Sequence, residues 1–206
     1  MNSQNKAAMT QPTPRLTRQD LFTLEKYAEI RKDFRARVIE HKKHRRVPLG
    51  EHAALYFEDR LTMQYQIQEM LRIEKIFEAA GIQEELDVYN PLIPDGSNWK
   101  ATFMVEYADE TERRAALARL VGIEQDIWMR VEGFDPVFPI ANEDLARSVP
   151  DKTASVHFMR FELTPAMVAA VKSGAGISAG VSHRAYQATL APLPRAMRDA
   201  LAADLA

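Results

Sequence analysis

Apolar residues recur at every second position in several segments of the C-terminal half, and this alternation limits the possible folds more than any other feature. It is clearest in KATFMVEY (100–107), QDIWMRVEG (125–133) and ASVHFMRFEL (154–163). A period of two predicts strands, and GISAGVSH (176–183) supplies a fourth. Helical patterns lie between them, in DETERRAALARLVG (109–122) and TPAMVAAVKSG (164–174). The order β-α-β-β-α-β predicts a ferredoxin-like antiparallel sheet.

The same alternation assigns a face to each strand residue. The face predicted to pack under helices carries Phe103, Val105, Tyr107, Ile127, Met129, Val131, His157, Met159, Phe161 and Leu163. The opposite face carries Glu106, Trp128, Arg130, Glu132, Phe158, Arg160 and Glu162. We expect the N-terminal helices or a second subunit to cover this mixed face. An RNA-binding sheet needs aromatic residues within an RNP-type motif, which this chain lacks.

The N-terminal part has helical periodicity. It predicts long helices over about 18–41 and 58–79, the second ending at Gly81, and a short helix over 83–89. PLPRAMRDALAADL (192–205) predicts a final helix. The expected fold is therefore α+β, with an N-terminal helical pair packed on a ferredoxin-like sheet and a C-terminal helix. We expect a disordered leader over 1–16, a helical part over 17–90 and an α+β part over 91–206.

Composition excludes several classes of site. The chain has 206 residues, a formal net charge of −2 and no cysteine. Disulfides, thiolate metal sites and cysteine nucleophiles are therefore excluded. No histidine has a glutamate three residues before it, so the Glu-x-x-His motif of di-iron bundles is absent and no metal site is predicted. The absence of a long apolar run predicts no membrane span, and the start of the chain does not resemble a signal peptide, so we expect a cytoplasmic protein.

The predicted helix over 58–79 carries a second, half-polar face. It consists of Glu58, Tyr65, Gln66, Glu69 and Arg72, and Arg60 lies near its start. One interpretation is that this face packs on another element and forms ion pairs. The other is that it forms the wall of a ligand-binding site, facing His183 and Tyr186 from the C-terminal part. In either case Glu69 needs a donor, because an unpaired buried carboxylate is costly.

The segment Arg31–Arg46 is strongly basic in an otherwise slightly acidic chain. It holds eight Lys and Arg residues against Asp33 and Glu40, a local net charge of +6. Lys42, Lys43, Arg45 and Arg46 are predicted to form an exposed anion-attracting patch. A solvated basic helix end, favoured by the helix dipole, is the alternative.

Several motifs together resemble one protein family. They are VIEHKKHRRVPLG, FEDRLTMQYQIQEMLRIEKI, YNPLIP, HFMRFEL and the SHRAY…LP…RDALAADL ending. From about residue 16 to its end the chain resembles the bacterial domain-of-unknown-function family 3501, which has no established activity. Family members are often encoded near rubrerythrin and iron–sulfur oxidoreductase genes, which implies a link to redox or oxidative-stress metabolism. The family commonly has Asp-His-Pro where this chain has Ser182, His183 and Arg184.

Two function hypotheses follow. The first is a protein that binds a small molecule or cofactor in a pocket between the 58–79 helix and the sheet, with or without catalysis. The second is a non-catalytic partner protein that docks onto a rubrerythrin or iron–sulfur protein through its basic segment. Nucleic-acid binding through Arg31–Arg46 ranks lowest, because no aromatic residues are interleaved with the charges. A homodimer stays open.

Overall fold

The computed structural model describes residues 15–145, 147 and 151–206. Within this part of the chain the α-helices are α1 Leu24–Lys42, α2 Arg60–Glu74, α3 Ala79–Tyr89, α4 Glu110–Arg119, α5 Pro165–Lys172 and α6 Arg195–Ala202. The strands are β1 Arg46–Pro48, β2 Ala53–Phe57, β3 Asn98–Val105, β4 Ile127–Val131, β5 Ile140–Ala141, β6 Val156–Glu162, β7 Ile177–His183 and β8 Tyr186–Leu190. A short 3-10 turn, Asn90–Leu92, follows α3 directly.

The strands form two antiparallel sheets. One has the order β1-β2-β3-β6-β5, and the other has the order β4-β7-β8. The α+β class is confirmed, but the ferredoxin-like arrangement is not. That fold would place β7 beside β3 and β4 beside β6. Here β2 pairs with the free edge of β3, and β5 pairs with the free edge of β6. With both edges taken, β4 and β7 pair with each other in a second sheet.

The inner faces of both sheets share one hydrophobic core. The predicted inward residues of β3, β4 and β6 are buried in it, including Phe103, Met129 and Phe161. Helices α4, α5 and α6 contribute further apolar side chains to the same core. The alternation therefore assigned the faces of these strands correctly, although it could not assign their neighbours.

The hairpin of β1 and β2 was not predicted. Its residues Val47 and Leu55 form a registered pair and point into the core. The turn depends on Gly50, whose φ of +75° is unfavourable for other residues. A Cβ at this position would also lie 2.6 Å from the Tyr186 hydroxyl.

Both long helices are shorter than predicted. A capping box forms at Thr17, but it caps only the 3-10 turn Arg18–Asp20, and α1 begins after a separate N-cap at Thr23. Helix α2 begins after the N-cap Asp59 and ends at Glu74, followed by the C-cap Lys75, which is left-handed with a φ of +57°. The predicted stop at Gly81 is wrong, since Gly81 lies inside α3.

Helix α6 is tied to the rest of the fold by buried polar contacts. The Trp99 indole Nε1 donates to the carbonyl oxygen of Leu201 at 2.9 Å. The Arg45 guanidinium reaches Asp204 just beyond the helix. These contacts join α6 to β3 and to the end of α1.

The predicted division near residue 90 stays a prediction. Strands β1 and β2 come from the expected helical part, and β2 pairs with β3 across that boundary. Residues 1–14 of the predicted leader lie outside the described residues, while Leu16 is buried. Among the residues that the structure describes, no helix is long and apolar enough to cross a membrane.

Candidate functional site

Glu69 is the centre of a polar network between α1 and α2, which we call the α1–α2 network and which consists of Tyr27, Arg31, Glu69 and Arg72. The carboxylate accepts from the Tyr27 hydroxyl at 2.7 Å and from two Arg31 nitrogens at 2.8 Å each. Arg72 adds a third donor group at 3.1 Å. The Arg31 hydrogen bonds hold the pKa of Glu69 at about 2, well below its usual value. The hydrogen-bond donors that the Glu69 carboxylate was predicted to need therefore come from α1 and α2 themselves.

Of the other predicted residues of this helix face, Glu58 and Arg60 have partners outside the α1–α2 network, whereas Tyr65 lies beside its Tyr27 and Arg31. Glu58 precedes α2 and is buried, accepting from the hydroxyls of Thr62 at 2.7 Å and Thr102 at 2.9 Å. Arg60 pairs with Asp20 at 2.5 Å. The remaining two are Tyr65, which packs near Phe34, and the half-buried Gln66.

His183 and Tyr186, the expected counterparts, contact other parts of the chain. His183 is buried, with Nε2 at 3.2 Å from the Val121 carbonyl oxygen and Nδ1 accepting from the Ala185 N–H. The tautomer protonated at Nε2 makes both hydrogen bonds. The Tyr186 hydroxyl donates to the Leu49 carbonyl at 2.6 Å, and burial raises its pKa. The structure therefore does not bring these two residues to the α1–α2 network.

The four residues of the predicted basic patch differ in how deeply they are buried. Arg45 is only 4% exposed, in contrast to its expected exposure. Its guanidinium pairs with Asp204 at 2.8 Å and with Asp59 at 2.9 Å, so it is neutralised within the protein. Arg46 contacts the Tyr56 hydroxyl and Glu106. Lys43 is exposed beside Glu40, and Lys42 is half-buried, which leaves a smaller basic surface than the sequence predicted.

A cavity of about 760 Å³ lies elsewhere, between the α3 end of the helical part and the five-stranded sheet. Its floor is the outer face of β3 and β6, the face turned away from the core. We call it the Lys100 cleft, and it is lined by Asp87, Val88, Tyr89, Pro91, Leu92, Asp95, Asn98, Lys100, Glu143, Asp144, Arg147, Phe158, Met159, Arg160 and Glu162. Of the predicted mixed face, Phe158, Arg160 and Glu162 line this cavity, whereas Trp128, Arg130 and Glu132 lie on or next to β4 in the other sheet.

Lys100 is placed on this floor by the strand pattern. Its neighbours Trp99 and Ala101 point into the core, so Lys100 points outward. Strand β3 is central, paired with β2 on one side and β6 on the other, which fixes the Lys100 backbone. The side chain is half-buried, and its ammonium makes no hydrogen bond or ion pair with any of the described residues. Burial, followed by the charge of Arg160, lowers the pKa of Lys100.

The two arginines of the Lys100 cleft are already paired. Arg160 donates to both oxygens of Glu143, at 2.8 and 2.6 Å, and also to Glu162. Arg147 donates to both oxygens of Asp144, at 2.9 and 2.7 Å. Among the cations that line the cleft, Lys100 is therefore the one without an ion pair to a described carboxylate.

The cleft also has an apolar wall. The Arg147 guanidinium lies 4.6 Å from the ring centroid of Phe158, so a cation–π contact holds this aromatic ring. Tyr89 and Leu92 approach from the segment that follows α3. Val88, 63% exposed, lies at the rim. Apolar walls with few polar groups are typical of small-molecule sites.

Sequence reasoning placed Phe158, Arg160 and Glu162 on the outward face but did not select Lys100. The signal was a lysine at an outward position of a strand whose inward residues are large and apolar. The pattern did not show that residues from two distant parts of the chain enclose Lys100, namely the segment 87–92 and the side chains of Glu143, Asp144 and Arg147. In the described part of the chain, no group of three or more His, Asp or Glu side chains is arranged to hold a metal ion.

Comparison with known proteins agrees with this architecture. The model of the family described as "Protein of unknown function (DUF3501)" matches residues 15–205. The chain belongs to this family. A crystal structure of a novel protein of unknown function from Burkholderia pseudomallei K96243 is similar to this DUF3501 chain, with 54% identity and a TM-score of 0.89. The match covers 94% of this chain and 100% of the other. No curated protein matches the DUF3501 chain.

Proposed function

We propose that this protein binds an uncharged small molecule in the Lys100 cleft. The ligand would have an apolar, preferably aromatic, body and an oxygen that accepts a hydrogen bond from Lys100. The observation that carries the proposal is the half-buried Lys100 ammonium without a protein partner at the floor of a cavity of about 760 Å³. A ligand oxygen would replace the water that the ammonium loses on burial.

The charge of the cleft favours an uncharged ligand over an anion. Three cations, Lys100, Arg147 and Arg160, face five carboxylates, so the lining has a formal net charge of −2. The arginines are neutralised by Glu143, Asp144 and Glu162. An anion would gain from Lys100 but would be repelled by the surrounding carboxylates, whereas a carbonyl or amide oxygen would gain the hydrogen bond without that cost.

The apolar walls support an aromatic ligand body. The Phe158 ring borders the cleft and is held in place by Arg147. Tyr89, Pro91 and Leu92 add further apolar surface to the lining. A flat ring packed against these side chains would bury apolar surface, which contributes roughly 25 cal/mol for each Å² removed from water.

The proposal moves the ligand site from its expected place. The sequence favoured a pocket between the 58–79 helix and the sheet, whereas the cleft lies between the α3 segment and the outer face of β3 and β6. The redox link implied by the family resemblance, and docking onto a redox protein through the basic segment, stay predictions.

Nuclear magnetic resonance titration with three probes of one shape tests the proposal. The probes are benzamide, benzoate and benzylamine, which differ mainly in charge. We expect saturable binding of benzamide, with shifted amide resonances in β3 and around residues 87–92, and weaker binding of benzoate. Lys100→Met should weaken benzamide binding by about ten- to hundredfold, the value of a hydrogen bond from a charged donor.

A matched control separates the cleft from a general loss of charge. Lys32→Met removes an exposed lysine on α1, a helix that contributes no residue to the cleft lining, and should leave benzamide binding unchanged. Absence of saturable binding by all three probes would overturn the proposal. Tighter binding of benzoate than of benzamide would overturn the uncharged ligand class.

A further inference from the structure

We propose that Lys100 forms a reversible imine with an aldehyde or ketone bound in the Lys100 cleft. This inference rests on the proposed function, because the carbonyl compound must first occupy the cavity. It narrows the ligand class from molecules with an acceptor oxygen to molecules with a reactive carbonyl carbon.

Geometry selects Lys100 for this reaction. Its side chain projects from a central strand into a cavity and is not held by an ion pair to any of the described residues. The nitrogen is therefore free to approach a carbonyl carbon. Lys172, in contrast, donates to the Leu205 carbonyl at 3.2 Å, and Lys43 is paired with Glu40.

The surroundings also favour the reactive form of the amine. Lysines become nucleophilic when they are desolvated or lie next to another cation. Both conditions hold here, since burial lowers the Lys100 pKa and the Arg160 guanidinium on the paired strand lowers it further. The nearby carboxylates oppose this shift but do not cancel it.

The proposed step needs no oxidant or reductant. The neutral Nζ adds to the carbonyl carbon, forming a C–N bond as the C=O π bond breaks, and one proton passes from the nitrogen to the carbonyl oxygen. The resulting carbinolamine loses its hydroxyl group as water, with a proton taken from nitrogen, and a C=N bond forms. Hydrolysis reverses both steps and returns the amine and the carbonyl compound.

The chemistry of the cleft indicates an uncharged carbonyl compound with an aromatic or branched apolar body. The net negative lining disfavours oxo acids, and the Phe158 and Tyr89 side favours an apolar group. Imine formation removes a charge that is costly at this half-buried position unless the imine itself is protonated.

Reductive trapping tests the inference in the full-length wild-type protein. Benzaldehyde and sodium cyanoborohydride convert an imine to a stable benzylamine, and peptide mass mapping locates the modified lysine. We expect benzylation of Lys100 to exceed that of the exposed Lys32 severalfold. It should also begin at a lower pH than benzylation of Lys32. Benzamide should protect Lys100 and leave Lys32 unchanged, and Lys100→Arg should lose only the Lys100 product.

The outcomes distinguish this inference from the proposed function. Saturable benzamide binding without preferential trapping at Lys100 would overturn the imine and leave the binding function standing. Equal benzylation of Lys32 and Lys100 would have the same meaning. Absence of both binding and preferential trapping would overturn both proposals.

Discussion

The α1–α2 network and the Lys100 cleft are both half-buried and charged, but they differ in how their charges are satisfied. In the α1–α2 network, Glu69 accepts from Tyr27, Arg31 and Arg72. In the cleft, Lys100 has no partner among the described residues. Charged groups that hydrogen-bond to one another stabilise one conformation of the protein. A charged donor without a protein partner beside a cavity lowers the stability of the fold, but it can still bind a ligand.

This difference explains why the more conspicuous residues are not the candidate site. The sequence drew attention to carboxylates and arginines on a helix face, and these residues satisfy one another. Arg45 is the extreme case, since it is more deeply buried than the α1–α2 network and bonded to two aspartates. A perturbed pKa accompanies both kinds of region, so the presence or absence of a protein partner decides between them.

Loss of Arg45 should have the largest effect on stability. Arg45→Met leaves Asp204 buried without its counter-ion, and Asp59 loses one of its partners. We expect the free energy of unfolding to fall by about 3–5 kcal/mol, as for other broken buried ion pairs. Urea denaturation followed by circular dichroism measures this. A loss below about 1 kcal/mol, in the range of exposed ion pairs, would contradict the structural role of satisfied charges.

Glu69→Gln should destabilise the protein without changing ligand binding. The loss at pH 7 should be about 1–3 kcal/mol, because Arg31 is partly exposed and solvent weakens its pairing. With a folded pKa of about 2, below the usual 4.5, the ionised carboxylate stabilises the fold above pH 4.5. This contribution is lost as pH falls from about 4.5 to about 2, so the difference between wild type and variant should shrink over that range. Weaker benzamide binding by the variant would instead place the α1–α2 network in the ligand site.

Lys100→Met should leave stability unchanged or raise it by up to about 1 kcal/mol, as is common when a functional charge is removed. The folded pKa of Lys100 lies below its usual 10.5, so the charged amine is disfavoured in the folded protein. Wild-type stability should therefore rise relative to the variant as pH increases toward 10.5. Thermal unfolding across this pH range measures the effect. A clear loss of stability in the variant would make Lys100 a structural residue and remove the contrast with Glu69.

Lys43→Ala should have the smallest effect. Lys43 and its partner Glu40 are both more than half exposed, and such pairs contribute about 0–1 kcal/mol. We expect a change in unfolding free energy within about 0.5 kcal/mol, weaker still at high salt. A larger change would show that the basic segment contributes to the fold through more than Arg45.

Local patterns predicted the strand faces but not the strand neighbours. Alternation correctly buried Met129 and Phe161, because side-chain direction depends only on the strand itself. Which strands pair depends on which strand occupies each free edge of the sheet. The strand β2, which was not predicted, pairs with the edge of β3 that would pair with β7 in a ferredoxin-like sheet. The start of α1 was misplaced for a similar reason, since the capping box at Thr17 is equally suited to a single turn.

The site was harder to predict because it is built from distant segments. Lys100, Tyr89 and Arg147 belong to a strand, a helix end and a loop. The sequence gives the direction of Lys100 but not what covers it or whether a carboxylate reaches it. For Glu69 the chain offered Arg72 nearby, while its main partners, Tyr27 and Arg31, come from another helix.

The connection of α6 to the rest of the fold has a consequence for the order of folding during synthesis. Asp204, which pairs with Arg45, lies 159 positions later in the chain, and the Leu201 carbonyl lies 102 positions after Trp99. The ribosome therefore exposes the Arg45 guanidinium and the Trp99 indole long before their partners exist. Contacts of such separation form late, since the intervening chain must first be ordered. A nascent chain that stops before α6 would hold an unclosed core, and apolar surface exposed in this way favours aggregation.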